Sequence, residues 1–306
     1  MKRFLIRRIL LLIPILFAVV TVVFSFLRLV PGDPVEAMLG EGAQAADVEG
    51  MRKALMLDQP LLVQYEHYCW RILHGDLGMS WSLNMPVTSV IAQRLPATAE
   101  LAASAMLVAL LIAFPLGMFA AKHAGSIADR SATVLAVTGV ALPPFWLGPI
   151  LILLFSIQLG WFPVSGRGSL AQLVLPSLTL GAALAAILTR MLRAGLVEEL
   201  QSDYVRTARA KGAGGMRILF GHVLRNAFLP VLTILGLQFG SLLTGAIITE
   251  TVFSWPGIGR LLITAIFSRD YPLVQGCILV FALLYTLVNL IVDLLYAALD
   301  PRIQLR

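Results

Sequence analysis

Six apolar stretches, near Ile9–Leu27, Thr98–Ala121, Ser131–Ile157, Leu170–Met191, Ala227–Thr249 and Leu273–Leu299, constrain this chain more than anything else in it. A helix that crosses a bilayer needs about 20 mainly apolar residues, and each of these stretches qualifies. In lipid a spanning segment must satisfy its own backbone N–H and C=O groups, so helix is the expected conformation. The two-residue alternation of barrel strands is absent. Composition agrees: the chain is 58% hydrophobic and 13% charged, against about 45–50% and about 25% in soluble domains. The net charge of +6 does not indicate a nucleic-acid partner, because the basic residues lie between apolar runs and not in one patch. The basic start followed by the run Ile9–Leu27 superficially resembles a secretory signal. The run exceeds the usual apolar core of about 7–15 residues, and no small-x-small cleavage pattern follows it. It is read as a retained first span.

Orientation follows from the loops. With a cytoplasmic N-terminus, the inside segments carry 15 Lys and Arg and the outside segments carry 8, spread over more chain. Both termini are therefore expected in the cytoplasm. The chain divides into residues 1–27, a basic segment with the first span; 28–96, an external loop; and 97–306, a core of five spans containing a basic cytoplasmic segment at 193–226.

The external loop is expected to be a small folded cap. Leu61, Leu62, Tyr65, Tyr68, Cys69, Ile72 and Leu73 fall on one helical face, with Gln64, Glu66, His67 and Arg71 opposite, and Asp58 with Pro60 marks a helix start. His67, His74, Asp76 and Glu66 are suitable ligand types without a compact metal motif, so no metal site is assigned. Cys69 and Cys277 are expected on different sides of the membrane boundary, which argues against a disulfide. Trp161, Phe162 and Trp255 fit an aromatic belt, and Glu100 and Glu250 are expected at the outer interface.

The segment 193–226 is the most informative loop. Residues 203–212 read DYVRTARAKG. Asp203 and Gly212 are helix punctuation. Ala208 and Ala210 allow close approach of a partner, and Arg206 and Arg209 share a helical face suited to acidic groups. No HExxH, GxSxG or GxxxxGK[ST] pattern occurs, and no paired intramembrane aspartates occur, so catalysis by this chain is not expected and no catalytic residue is assigned.

This segment, with HVLRNAFLP at 222–230, closely resembles the signature of permeases in the dipeptide/oligopeptide/nickel branch of ABC importers. The resemblance runs along most of the chain: LVPGDP at 29–34, LDQPL at 57–61 leading to Tyr65, GDLG at 75–78, ETVFSWPGIG at 250–259, RDYP at 269–272 and NLIVDLLYAALDPRI at 289–303. ABC importers at large carry Glu-Ala-Ala where this chain has Arg206-Thr207-Ala208, a departure that itself resembles the peptide branch. The resemblance implies an all-α type I importer permease fold with six transmembrane helices and a small external helical cap between the first two. It implies a second, related permease, two cytoplasmic ATPase subunits that use ATP and Mg, and a periplasmic or lipid-anchored binding protein. No cofactor is expected on this chain. It further implies that Asp203, Tyr204, Arg206, Thr207, Ala208, Arg209, Ala210, Lys211 and Gly212 couple the chain to an ATPase. The expected cargo is short peptides, with glutathione or nickel and other metal chelates as the alternative.

Within the spans, Gln238, Ser241 and Thr244 share one face of the fifth, and Asn289 precedes Asp293 by one turn on the last. Intramembrane polar groups are candidates for lining a pathway. Interhelical hydrogen bonding explains them equally well. Pro115, Gly117, Pro143, Pro144 and Pro176 interrupt spans, which fits a bundle that rocks about a central pathway; kinks tolerated for packing explain each of them at least as well.

Overall fold

The structure, a computed structural model, describes residues 2–29, 35, 39 and 44–299, with some side chains inside helices left aside. These residues are mostly helical. The helices are α1 (Lys2–Leu29), α2 (Ala45–Ala54), α3 (Leu61–Leu73), α4 (Val87–Lys122), α5 (Ile127–Ala141) and α6 (Pro144–Leu151). They continue with α7 (Leu170–Leu200), α8 (Asp203–Ala210), α9 (Gly215–Ile218), α10 (Leu224–Val252), α11 (Ile258–Phe267) and α12 (Tyr271–Leu299). Wider π turns extend α6 through Ile152–Gln158 and join α9 to α10 through Leu219–Val223.

The six apolar stretches all fall in helices. Among the described residues, α4, α7 and α12 are individually long and apolar enough to cross a membrane. A fourth span exists if Gly215–Phe228 and Pro230–Gly240, bent by 45°, are taken together. Pro230 lacks the N–H that would close the preceding turn, so the bend falls where the sequence demands it. The third expected stretch is broken. Leu142 and Pro143 are extended, and Pro144 opens α6 as its first residue. Proline excludes the residue before it from helical angles, which stops α5 and restarts the chain as α6.

The chain forms two compact units, residues 1–98 with 256–286 and residues 99–255 with 287–306. In the first, the fully buried Asp270 accepts hydrogen bonds from Ser80 Oγ (2.6 Å), Ser82 Oγ (2.8 Å) and Ser82 N (2.9 Å), and its other oxygen accepts from Leu273 N at the start of α12 (3.1 Å). One carboxylate thus caps α12 and fastens the turn after Gly78 to it. Thr98 Oγ1 accepts from Ile258 N (2.8 Å) and anchors the start of α11. That helix buries Ile258, Leu261, Leu262 and Ala265 and exposes Phe267. Ten residues are too few for a span, so α11 escapes a search for long apolar runs.

The expected α3 forms, but its faces differ from the helical-wheel reading. Gln64, assigned to the polar face, is buried, whereas Leu61, Leu62 and Leu73 are exposed. Gln64 is buried because it is satisfied: its Oε1 accepts from Arg28 Nη2 (2.9 Å) and its Nε2 donates to Gln59 O (2.9 Å). Burial of a polar group costs little once its hydrogen bonds are made. Tyr65 and Tyr68 do face α1, where both pack on Phe24 and Tyr65 Oη shares a hydrogen bond with Thr21 (2.6 Å).

In the second unit α7 is the central helix and packs most extensively on α10 and α5. Small residues permit the close approach: a Cβ at Gly181 would lie 2.6 Å from Ala105 O of α4, and one at Gly139 would lie 3.2 Å from Ala182 O. Such small-residue contacts are how helices pack where lipid supplies no hydrophobic drive. The expected belt is corrected at Trp255, which is fully buried in protein, while Trp161 is exposed as a belt residue would be. Glu250 is also fully buried, and Glu100 pairs with Arg167 at 2.7 Å.

Candidate functional site

Three structural joints hold the basic segment that follows α7. The first is the stop of α7 and restart as α8. Ser202 is extended, and its Oγ donates back to Glu199 O (2.6 Å). Asp203 therefore occupies the first turn of α8, where a negative charge favours the exposed N–H groups. Val205 is fully buried and is the apolar anchor of this eight-residue helix. Around it Asp203, Tyr204, Arg206, Thr207, Arg209, Ala210, Lys211 and Gly212 are exposed and Ala208 is half-buried. Thr207 Oγ1 donates to Asp203 O (3.0 Å). Arg206 lies 3.5 Å from Asp203, a pair so exposed that it adds little. Arg209, three residues on, lines a cavity of about 680 Å³ with Lys122.

The helix ends in a two-bond Schellman turn. Gly212 N donates to Arg209 O (2.9 Å) and Ala213 N donates to Ala208 O (3.1 Å). This closure needs a left-handed residue at Gly212, whose φ is +82°, and a side chain there would be strained. The segment is a short rigid element with defined ends.

The second joint ties α8 to its neighbours. Tyr204 Oη donates to Glu199 Oε2 (2.5 Å), and Asn226 Nδ2 donates to the same oxygen (3.3 Å) and to Tyr204 Oη (3.4 Å). Burial, then the neighbouring Glu199 carboxylate, pushes the Tyr204 phenol up, so it stays a donor. The end of α7, the first turn of α8 and the start of α10 meet at this node.

The third joint was not legible in the sequence. Arg193 donates from Nε to Asp129 Oδ1 (2.5 Å) and from Nη2 to Asp129 Oδ2 (2.6 Å). Asp129 also accepts from Gly125 N (2.8 Å), while its own N–H donates to Ser126 Oγ (3.3 Å), which caps α5. The fork of Arg193, then the Gly125 N–H, pulls the Asp129 carboxyl down to about 2. The spacing of Ser126 and Asp129 at a helix start is the one local signal that could have marked it.

The pathway candidates lie on two helices. α10 and α12 approach closely where a Cβ at Gly236 would meet Val292 at 2.7 Å, which sets the helix bearing Gln238, Ser241 and Thr244 beside that bearing Asn289 and Asp293. Gln238 and Asn289 are half-buried. The side chains of Ser241, Thr244 and Asp293 lie outside the described residues. Among the described residues no three His, Cys, Asp or Glu side chains gather as a metal site, and Asp76 is instead held by Arg71 Nε (2.8 Å) and Gly78 N (2.8 Å).

Known proteins resemble this chain along nearly its whole length. Residues 113–305 match the family described as binding-protein-dependent transport system inner membrane component, and residues 1–102 match its N-terminal membrane component. The chain is 46% identical over 304 residues to the glutathione transport system permease protein GsiC of Escherichia coli O6:H1, covering 99% of each. It is 43% identical over 336 aligned positions to the dipeptide transport system permease protein DppB of Escherichia coli K12, again covering 99% of each. In fold it resembles the inward-facing MetNI methionine ABC transporter, with a TM-score of 0.56 at 16% identity over 70% of this chain and 97% of that one. Two family segments that together cover nearly the whole chain, full-length similarity to peptide-branch permeases and an all-helical membrane fold lead to one conclusion: this chain belongs to the inner-membrane permeases of binding-protein-dependent ABC importers, in the branch that holds dipeptide and glutathione permeases.

Proposed function

We propose that this chain forms half of a translocation pathway for short peptides across a bacterial inner membrane. It is a permease subunit, not an enzyme. The observation that carries the substrate reading is the full-length similarity to permeases named for dipeptides and glutathione. Glutathione itself is the second reading, favoured by the 46% identity to GsiC.

In this reading a second, related permease supplies the other half, and two ATPase subunits hydrolyse Mg-ATP. A binding protein delivers cargo from outside. Both termini face the cytoplasm in this reading, which the Lys and Arg bias supports. The segment Asp203–Gly212 rests on one ATPase and transmits its closure. What supports this role is rigidity: a helix with a buried anchor at Val205, a Schellman stop and a hydrogen-bonded node at Tyr204 moves as one piece with α7 and α10. Gln238, Ser241, Thr244, Asn289 and Asp293 are the candidates to line the pathway.

The test begins with a detergent pull-down from native membranes. A related permease and ATPase subunits should co-purify. The complex, reconstituted with its own binding protein, should then take up labelled dipeptide or glutathione only with ATP. Uptake of a nickel chelate in place of both, or a complex of this chain alone without ATPase activity, would overturn the reading.

A further inference from the structure

The first compact unit holds a half-buried cation that its described protein neighbours do not neutralise. Arg28 stands near the end of α1, with its guanidinium carbon 3.9 Å from the centroid of the Phe24 ring. Its Nη2 donates to the neutral Gln64 Oε1 at 2.9 Å. Its Nε and Nη1 are buried and, among the described residues, have no hydrogen-bond partner. Gln275, only 6% exposed, has an Nε2 in the same condition. Charged N–H groups withdrawn from water without a hydrogen-bond partner are costly for a fold to keep.

Arg28 and Gln275 both line one cavity of about 360 Å³, with Gln64, Tyr68, Trp81 and Tyr271 around them. That volume is at the small end of the range for small-molecule sites, about 300–1,000 Å³. None of the lining residues is an Asp or Glu. Arg71 also reaches the cavity, but its charge is already matched by Asp76 at 2.8 Å. Burial pushes the Tyr68 phenol up, so it remains a neutral donor. The buried polar atoms of this lining that lack a partner among the described residues, Arg28 Nε and Nη1 and Gln275 Nε2, are all donors, so the missing complement is a compact anion. A guanidinium fork matches a carboxylate best, because two parallel N–H groups meet its two oxygens.

We propose that the cavity beside Arg28 is a carboxylate-binding site, and that the carboxylate is the C-terminal group of a short peptide entering the pathway. The source named for the carboxylate rests on the peptide-import reading. The charge requirement does not, because it follows from Arg28 and its surroundings. The same chemistry is available from an acidic side chain of the delivering protein, and the experiment separates the two.

Calorimetric titration of the full transporter with dialanine and with dialanine C-terminal amide tests the site directly. The free carboxylate should bind at least about tenfold tighter than the amide, the discrimination of one charged hydrogen bond. R28Q should abolish that preference, R28K should keep part of it, and Q275L should weaken dialanine binding. Q275L also serves if substitution of Arg28 impairs folding. If dialanine and its amide bind alike, docking of the system's own binding protein is measured on the same variants. Docking weakened about tenfold in R28Q assigns the carboxylate to that protein. Dialanine binding and docking that are both indifferent to Arg28 and Gln275 overturn the site. Dipeptide uptake that persists with unchanged KM in R28Q removes this site and leaves the transport reading standing.

Discussion

Arg193 grips Asp129 with both arms of its guanidinium, across 64 residues of chain, and so fixes the start of α5 against the last turns of α7. Asp129 is 3% exposed and carries two further hydrogen bonds through its Oδ2 and its backbone N–H. The consequence is a contrast between two acidic residues, each in the first turn of its helix. Asp129 should matter greatly to the fold, and Asp203, exposed and loosely paired with Arg206, should matter little.

Both D129N and R193Q should therefore lower the melting temperature of the purified permease well beyond any change in D203N. Differential scanning fluorimetry in detergent reads this directly. The pH dependence has a definite sign. The Asp129 carboxyl lies at about 2 in the fold against an ordinary 3.8. A depressed carboxyl contributes stability above its unfolded value and loses it as pH falls. The contribution should be complete above about pH 4 and fade between about 4 and 2, with a flatter profile in D129N.

Removal of the Tyr204 hydroxyl tests the node between α7, α8 and α10. Y204F keeps the ring and loses the bonds to Glu199 and Asn226. The fold should lose less than about 1 kcal/mol, because Tyr204 is partly exposed. Peptide carried per ATP hydrolysed should fall by a larger factor than ATP hydrolysis itself, measured in proteoliposomes. N226A should reproduce the loss, and equal falls in both rates would argue against a coupling joint.

Two glycines should fail for different reasons. In G181A the new Cβ meets a backbone oxygen at 2.6 Å. Overpacking of this kind costs about 1–3 kcal/mol, and should appear as lost assembly in size-exclusion profiles. In G212A nothing lies within 4 Å, but φ is +82°. The left-handed conformation costs about 1–2 kcal/mol, which should loosen the end of α8 and leave the rest of the bundle intact. Hydrogen exchange at residues 208–213 distinguishes the two.

Asp270 should prove essential to the cap segment. D270A removes the acceptor for Ser80, Ser82 and Leu273 at a fully buried position. The loss should exceed about 1.5–3 kcal/mol, the range for a single hydrogen bond to a charged group. Limited proteolysis should then cut near residues 79–86 in the variant and spare the parent chain.

The sequence by itself determined the class, the long apolar helices and the family. Apolar runs of spanning length are a local property, and so are the prolines that break the third run and the Gly212 that ends α8. The family motifs are local strings as well, which is why they could be read in order along the chain. The sides that the helices turn inward were decided only by tertiary structure. Periodicity marks a face as apolar but does not say whether protein or lipid covers it, so Leu61 and Leu62 were expected inside and lie exposed. Gln64 and Trp255 went the other way: Arg28 donates to Gln64, and protein encloses Trp255 completely. The pairs that fasten the molecule span 64 residues from Asp129 to Arg193 and 190 from Ser80 to Asp270, and no local pattern carries a partner at such a distance. Side-chain chemistry sets what each residue needs. Only the fold decides which residue supplies it.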